Sequence, residues 1–330
     1  MKANFRTRSL ALGVIAAFAL SACGSNAEEN QPETDATTPT SVVVEDNNGE
    51  HTINLPLTSV AATDNRTFEV LDSWGVELTA GARALMHSNV SYKDNDAIAD
   101  LGNHGEPNFE AVVATAPQVI VNGQRFSQFH EDLVKAAPDA VVLELDPREG
   151  QPFDAELKRQ VTVLGEVFGK QSEAAQLVAD FDASIERVKA AYSPDQKVMG
   201  VITSGGNIGY VVPSTGRTIG PLFDIFGFTP ALEVDGSDDH QGDDISVEAI
   251  AQSNPDLIIV MDRDGGFAEA DRGEDYQPAA QILENSEALK NVTAVQNGNI
   301  AYFPEDTYLN EGISTYTELF NSLADLLEKN

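Results

Sequence analysis

Cysteine is nearly absent from this chain, since Cys23 is the only one among 330 residues. A lone thiol excludes an internal disulfide framework. It follows the small residues Ser21 and Ala22, and before them come a basic start and an apolar run over residues 10–20. This arrangement is typical of a secretory signal, and an apolar run of roughly 11 residues is too short to cross a bilayer as a helix. The sequence therefore predicts a signal peptide over residues 1–22.

Basic residues are also scarce. The chain has 20 Lys and Arg against 53 Asp and Glu, and its formal net charge at pH 7 is −33. An acidic surface of this kind repels phosphate backbones and anionic lipid headgroups. We therefore expect no nucleic-acid partner and no binding along a membrane surface. In so acidic a chain, an arginine in a loop is a candidate for a specific role.

Motifs of catalytic and nucleotide-binding sites are missing as well. The chain has no Gly-x-Ser-x-Gly, no Walker loop and no Gly-x-Gly-x-x-Gly after a strand. Asp and Glu are too numerous for any pair to stand out as a general acid and base. These absences argue against an enzyme.

A site for a bare metal ion is not indicated either. A zinc or manganese receptor would use about three histidines with a carboxylate. The five histidines are instead spread along the chain, at positions 51, 87, 104, 130 and 240. The acidic cluster 235–244 could hold Ca²⁺, but it lacks EF-hand spacing and is more typical of a solvated loop. We expect no intrinsic cofactor.

Large apolar residues are absent between Gly24 and Pro39, where Asn, Glu, Pro, Thr and Ala predominate. Such a segment buries too little apolar surface to offset the entropy of ordering. The sequence therefore predicts a flexible tether over residues 23–40 that leads into the folded part.

The folded part has the pattern of an α/β protein. Short apolar runs with β-branched residues alternate with helical periodicity, which is typical of buried strands covered by helices on both faces. The predicted strands are 41–45, 51–55, 59–62, 97–101, 118–121, 140–145, 197–203, 209–212, 257–261 and 300–303. The predicted helices are 67–74, 109–115, 126–136, 153–168, 171–192, 219–226, 247–253, 279–289 and 314–328.

The helix predicted over 171–192 is much longer than the others, and the α/β alternation restarts after it. We therefore predict two three-layer, Rossmann-like α/β lobes with a ligand cleft between them. The N-terminal lobe would span residues 41–169 and the C-terminal lobe residues 195–330. Residues 170–194 would form a single bridging helix.

One segment occurs in both predicted lobes. Asn108-Phe109-Glu110 precedes a proline and a buried strand, and Ser246-Val247-Glu248 does the same later in the chain. Each segment is typical of a capped short helix that a proline terminates. Glu110 and Glu248 both fall in the first turn, where an acid also stabilises the helix dipole.

These duplicated segments resemble those of the substrate-binding proteins of ABC importers for iron complexes and vitamin B12. Within that class the chain is most similar to lipoproteins that bind ferric siderophores of the catecholate or mixed catecholate type. The segments that carry the resemblance are Gly105–Glu110, Asn122–Phe129, Ser214–Arg217, Val260–Arg263 and Asp306–Leu309. The end of the signal peptide likewise resembles a lipobox, which implies that Cys23 is lipidated and anchors an extracytoplasmic protein to the cell membrane.

The resemblance implies a monomer whose ligand is an Fe(III)-siderophore complex. It also implies delivery of that ligand to ABC permease subunits that work with a cytoplasmic ATPase. Glu110 and Glu248 would then dock onto basic pockets of the permease, one glutamate per lobe. Haem or cobalamin is the alternative ligand, because the same class of protein binds both.

Three arginines are the candidate ligand-binding residues. Arg125 and Arg263 each follow a predicted strand, and Arg217 precedes a predicted helix. Ligands of open α/β sheets bind outside the carboxyl ends of the strands. Because a guanidinium stays charged and offers forked donors, three of them would suit a trianionic ferric tris-catecholate better than haem or cobalamin. Each arginine alone could instead be a partner in a surface ion pair.

Three further features complete the predicted site. His240 and Tyr308 match positions at which the family can supply a histidine and a tyrosine to iron when the siderophore is tetradentate, and both donor types suit ferric iron. Otherwise they are an ordinary loop histidine and core tyrosine. Arg66 is expected either as a fourth cationic group at the pocket or as part of a helix cap. The acidic loop 264–275 would form part of the rim.

Overall fold

The computed structural model describes residues 39–329. The predicted signal peptide, Cys23 and the tether up to residue 38 lie outside the described residues. Within 39–329, no helix combines the length and the apolar composition needed to cross a membrane.

The described residues form short strands and helices in alternation. The strands are β1 (Ser41–Asp46), β2 (Gly49–Asn54), β3 (Val60–Ala62), β4 (Ala80–Gly81), β5 (Ala99–Asp100), β6 (Gly102–Asn103), β7 (Glu106–Pro107), β8 (Val119–Asn122), β9 (Val141–Glu144), β10 (Lys197–Ser204), β11 (Asn207–Val211), β12 (Thr229–Pro230), β13 (Asp243–Asp244), β14 (Leu257–Asp262) and β15 (Ile300–Tyr302). The α-helices are α1 (Phe68–Ser73), α2 (Phe109–Thr115), α3 (His130–Ala136), α4 (Phe153–Phe168), α5 (Gln171–Ala191), α6 (Gly220–Phe226), α7 (Val247–Ser253), α8 (Ala279–Glu284), α9 (Thr293–Asn297), α10 (Thr307–Asn310) and α11 (Ile313–Leu327).

The N-terminal half of the described chain forms a five-stranded sheet. Its strand order is β5-β4-β3-β8-β9, and every neighbouring pair is parallel. The central strands are buried on both faces, as their Val, Ile and Ala residues require. A separate antiparallel hairpin of β1 and β2 turns at Asn47 and Asn48.

The C-terminal half forms the second sheet, in the order β13-β11-β10-β14-β15, with β12 beside β10. Strands β10, β14 and β15 are parallel, whereas β11 returns antiparallel to β10. Each sheet therefore gathers the carboxyl ends of several parallel strands at one edge. Such edges are the usual ligand-binding side of α/β folds.

Helix α5 lies between the two sheets in sequence and packs against α4, α6 and α11. Its Phe181 is fully buried and stacks on Phe320 of α11, with ring centroids 5.6 Å apart. At its start, α5 lies so close to α4 that a Cβ on Gly165 would come within 2.6 Å of the Ala174 Cβ. The long helix is thus tied to elements from both halves of the chain, and its role as a bridge between lobes stays a prediction.

The predicted α/β class is confirmed, and several predicted element bounds are corrected. The helix predicted over 279–289 ends at Glu284, and the one predicted over 126–136 starts as a 3₁₀ turn, Gln124–Phe129, before α3. The sequence did not predict β4, β6, β7, β12, β13, α9 or α10. All of these have two to five residues, which is too short for a hydrophobic period to emerge.

Candidate functional site

Arg125 is positioned by a tight turn at the end of β8. Gln124 has a positive φ of 50°, and its backbone N–H donates to the carboxylate of Asp146 at 2.7 and 2.8 Å. A Cβ on Gly123 would lie 2.8 Å from Asp64 Oδ2, so only glycine fits the turn without displacing that carboxylate. The turn presents Arg125, whose Nη2 donates to the backbone oxygen of Tyr308 at 2.9 Å.

All three predicted arginines lie against the ring of Tyr308. The guanidinium carbon lies 4.6 Å from the ring centroid for Arg125, 5.2 Å for Arg217 and 4.7 Å for Arg263. Phe267 packs edge-on against the same ring, with centroids 5.6 Å apart. Contacts of a guanidinium within about 6 Å of an aromatic face are attractive. One aromatic side chain therefore holds three like charges, which are far apart in sequence, close to one another.

The three arginines differ in how their charges are balanced. Arg217 is paired with Glu311 (Nε–Oε1 3.1 Å), and Arg263 with Asp264 (Nη1–Oδ1 2.6 Å). Within residues 39–329, no carboxylate lies within ion-pair distance of Arg125. Burial lowers the pKa of Arg125, and the positive charges of Arg217 and Arg263 lower it further. Arg125 is thus the one of the three arginines whose charge is not paired with a carboxylate of the described residues.

Glu311 is the buried counter-charge of the site. Its backbone has a positive φ of 49°, and its carboxylate accepts from Thr218 Oγ1 at 2.7 Å and Gln124 Nε2 at 3.0 Å. Burial alone would raise its pKa, but the charges of Arg217 and Arg66 outweigh burial and lower the pKa of Glu311 to about 2. Glu311 therefore stays ionised and fixes the orientation of Arg217.

Arg66 is set apart from the other three arginines. It does not line the cavity of about 710 Å³ that Arg125, Arg217 and Arg263 line. Its Nη1 is 3.2 Å from Asp146 Oδ1, and its Nη2 is 3.7 Å from Glu311 Oε2. It also balances Asp64, whose pKa is raised to about 7, first by burial and then by the charge of Asp146. Arg66 lines instead an adjoining cavity of about 1130 Å³, to which Arg125 and Arg217 also contribute.

A cavity of about 710 Å³ opens in front of the arginines. The predicted residues His240 and Tyr308 lie in its wall together with Arg125, Arg217 and Arg263. The wall also contains Lys93, and its one carboxylate among the described residues is Asp271. A protein with a strongly negative net charge therefore has a cavity whose charged lining residues are four cations and one acid.

The predicted rim loop contributes directly to this cavity. Gly266, Phe267, Ala268 and Asp271 lie in the wall. Arg272 holds the loop in shape, because its Nε donates to Phe267 O at 2.9 Å and its Nη2 pairs with Glu305 at 2.7 Å. The acidic loop thus contributes four residues to the wall of this cavity, and its part in ligand binding stays a prediction.

Sequence analysis missed several residues of the wall. His87, His104 and Lys93 all line the cavity, although the histidines were interpreted as scattered. His87 comes after β4 and His104 directly after β6, and these two-residue strands gave no signal in the sequence. Among residues 39–329, no group of three or more His, Cys, Asp or Glu is arranged to hold a metal ion.

Glu110 and Glu248 occupy matching places on the surface. Each is exposed in the first turn of a short helix, whose N-cap side chain, Asn108 or Ser246, accepts from a backbone N–H at 3.1 Å. Neither glutamate lines the 710 Å³ cavity or forms an ion pair with another described residue. The duplicated segments are therefore structurally alike, and both carboxylates are accessible.

The periplasmic binding protein family model matches residues 60–307, and the chain belongs to this family. The petrobactin-binding protein YclQ of Bacillus subtilis is 27% identical over 97% of this chain and 98% of its own length. The ferric-anguibactin-binding protein FatB of Vibrio anguillarum is also 27% identical, over 92% of each chain. The catecholate-siderophore binding protein VctP of Vibrio cholerae, of known structure, is 23% identical with a TM-score of 0.73, covering 88% of this chain and 100% of its own.

Proposed function

We propose that this protein binds a ferric siderophore of the catecholate or mixed catecholate type and delivers it to an ABC permease for iron uptake. The observation that carries this proposal is the group of three arginines on the ring of Tyr308. The relatives named above bind petrobactin and ferric anguibactin, and both align over nearly the whole chain.

Charge and size both support an anionic iron complex as the ligand. A ferric tris-catecholate is trianionic, and forked guanidinium donors match its ring of oxygens. A cavity of about 710 Å³ lies in the range of small-molecule sites. Haem and cobalamin carry less negative charge than a ferric tris-catecholate, whereas this wall has three arginines, a lysine and three histidines. The polyanion is therefore favoured over these two alternatives.

Binding can be tested by titrating the purified protein with a hexadentate ferric tris-catecholate and following the quenching of its intrinsic fluorescence. We expect saturable binding of one complex per protein molecule. The metal-free catecholate, haem and cobalamin are the comparison ligands. Saturation by haem or cobalamin and not by the ferric complex would reject the proposed ligand class.

We further propose that Tyr308 and His240 complete the iron shell when the siderophore leaves two positions vacant. Phenolate oxygen and imidazole nitrogen both suit ferric iron. Tyr308→Phe keeps the aromatic ring under the arginines and removes only the hydroxyl. We expect this variant to lose the phenolate-to-iron charge-transfer band with a tetradentate bis-catecholate and to show an unchanged spectrum with a hexadentate ligand. Equal spectra for variant and wild type with both ligands would leave Tyr308 as a packing residue.

We propose that Glu110 and Glu248 dock the protein onto its permease. Both are exposed, and neither lines the cavity. Replacing both by alanine should abolish uptake of the ferric complex by cells, while the affinity changes by no more than about twofold because long-range charge effects are weak. The matched control replaces two other exposed glutamates, Glu131 and Glu284, and should keep uptake. A collapse of affinity in the double variant would contradict the assignment.

The site of action follows from the family and from the sequence. The family is one of periplasmic binding proteins. We propose that the protein is held at the cell membrane by lipid on Cys23 and acts as a monomer. Durable anchoring needs more than one acyl chain, and Cys23 offers the only thiol for lipid attachment. Cys23→Ala should therefore release the protein from the membrane without changing its fold.

A further inference from the structure

Three of the five histidines of the chain lie in the wall of the 710 Å³ cavity. His240 already has a proposed role at iron. His87 and His104 have none, and both belong to the N-terminal half of the chain: His87 follows the 3₁₀ turn Arg83–Leu85, and His104 comes directly after strand β6. We call these two residues the histidine pair.

His104 is held at the tip of a tight hairpin. Strands β6 and β7 pair on either side of it, and Asn103 Oδ1 accepts from the backbone N–H groups of Gly105 at 2.8 Å and Glu106 at 3.1 Å. The tip is thus fixed by the backbone, whereas the exposed imidazole has no hydrogen-bond partner within the described part of the chain. The ring is free to contact a molecule in the cavity.

His87 is oriented by a contact to its ring nitrogen. Its Nδ1 lies 2.8 Å from Asn89 Oδ1, and Asn89 Nδ2 donates to Asp306 Oδ2 at 2.7 Å. The half-buried ring is therefore oriented through Nδ1, and among residues 39–329 nothing is hydrogen-bonded to its Nε2. One ring nitrogen is left for a ligand.

The histidines are not grouped closely enough to hold a metal ion together, as judged over the described residues. They line instead the same cavity as the three arginines. We infer that the protonated histidine pair donates hydrogen bonds to the outer oxygens of the anionic complex, an inference that rests on the proposed function. Binding therefore becomes tighter at mildly acidic pH.

The sign of the pH dependence depends on the surrounding charges. Histidine is the side chain whose charge ordinarily changes between pH 5 and 8. The acids nearest the histidine pair are Asp306 behind His87, Glu106 two residues after His104 and Asp271 in the wall. The opposing cations of the wall are Lys93, Arg125, Arg217, Arg263 and His240. A bound anion would offset the repulsion between these cations and a protonated histidine. Protonation of the histidine pair and binding of the anion therefore favour each other.

The test is equilibrium dialysis of the full folded chain with a substitution-inert chromium(III) tris-catecholate, measured as bound chromium at pH 8.0 and 5.5. The inert complex excludes exchange of the metal ion during the measurement. We expect the wild-type dissociation constant to fall about tenfold between these pH values, as two modest charge-assisted contacts would give. The dissociation constant of the variant H87Q/H104Q should fall by less than about threefold, because glutamine cannot form these charge-assisted contacts.

His51→Gln is the matched control, because His51 lies on β2 outside the cavity and should leave the tenfold change intact. Circular dichroism at both pH values confirms that each variant is folded. An equal pH response of wild type and H87Q/H104Q would overturn the inference while leaving the proposed function standing. No binding of the complex to the wild type at either pH would instead reject the proposed function.

Discussion

Replacing Arg125 with methionine is expected to weaken binding of a ferric tris-catecholate by roughly 10- to 150-fold, since a charge-assisted contact is worth about 1.5–3 kcal/mol. The same change should leave the free energy of unfolding of the ligand-free protein unchanged or slightly higher. Arg125 has no carboxylate partner among the described residues and is close to two other guanidinium groups. Methionine fills a similar volume and removes a half-buried charge that is not paired with a carboxylate of the described residues.

Weaker binding together with an undiminished free energy of unfolding distinguishes a binding residue from a structural one. The matched control is Arg187→Met, which breaks the pairs of α5 with Asp325 and Glu328 of the C-terminal segment. It should leave affinity unchanged and cost at most about 1 kcal/mol, as exposed ion pairs do. Arg125→Lys should recover only part of the affinity, because an ammonium lacks the guanidinium fork. A fluorescence titration and a urea unfolding curve for each variant provide the comparison. Wild-type affinity of Arg125→Met would remove Arg125 from the site.

Long periodic elements were predictable, whereas two-residue strands were not. Helices α4 and α5 were predicted to within one residue at each end, because their apolar residues recur over 16 and 21 residues. Strand β4 is only Ala80–Gly81, and its neighbours in the sheet, not its own sequence, make it a strand. The path of the chain from β4 to His87 was therefore invisible in the sequence.

The same contrast applies to the site. The three arginines could be selected because cations are rare in this chain and because each follows or precedes a predicted element, whereas Tyr308 was selected only through the family resemblance. Glu311 could not be selected, since it is one of 53 acidic residues and its importance arises only when folding brings Arg66 and Arg217 against it. Residues whose chemistry is common in the composition become recognisable only through burial and contacts.

Glu311→Gln is expected to destabilise the folded protein strongly. The variant leaves Arg217 and Arg66 without their shared buried counter-charge, and loss of one partner of a buried pair costs about 3–5 kcal/mol. For a domain of this size, that corresponds to a fall in Tm of roughly 6–15 °C. Glu318→Gln, an exposed acid on α11, is the matched control and should change Tm by no more than about 1 °C, as surface substitutions usually do.

The pH dependence of this contribution has a definite sign. The pKa of Glu311 is lowered to about 2 in the folded protein, from an ordinary value near 4.5. The stabilisation is therefore fully present above about pH 4.5 and is lost as the pH falls toward 2. The wild type should lose its advantage over Glu311→Gln across that interval. A constant difference in unfolding free energy between pH 5 and pH 2.5 would contradict the role of Glu311 as an ionised counter-charge.

The same substitution should raise the affinity of the folded protein for the anionic complex. Glu311 accepts from both Nε and Nη2 of Arg217 at 3.1 Å, so it competes with a ligand for this guanidinium. Without the carboxylate, the site gains one unit of positive charge, and we expect binding to tighten by up to about tenfold at low salt. Titration at a temperature where the variant is fully folded measures this effect. Weaker binding would show that Glu311 serves the ligand by orienting Arg217, whereas tighter binding would show that stability is gained at the expense of affinity.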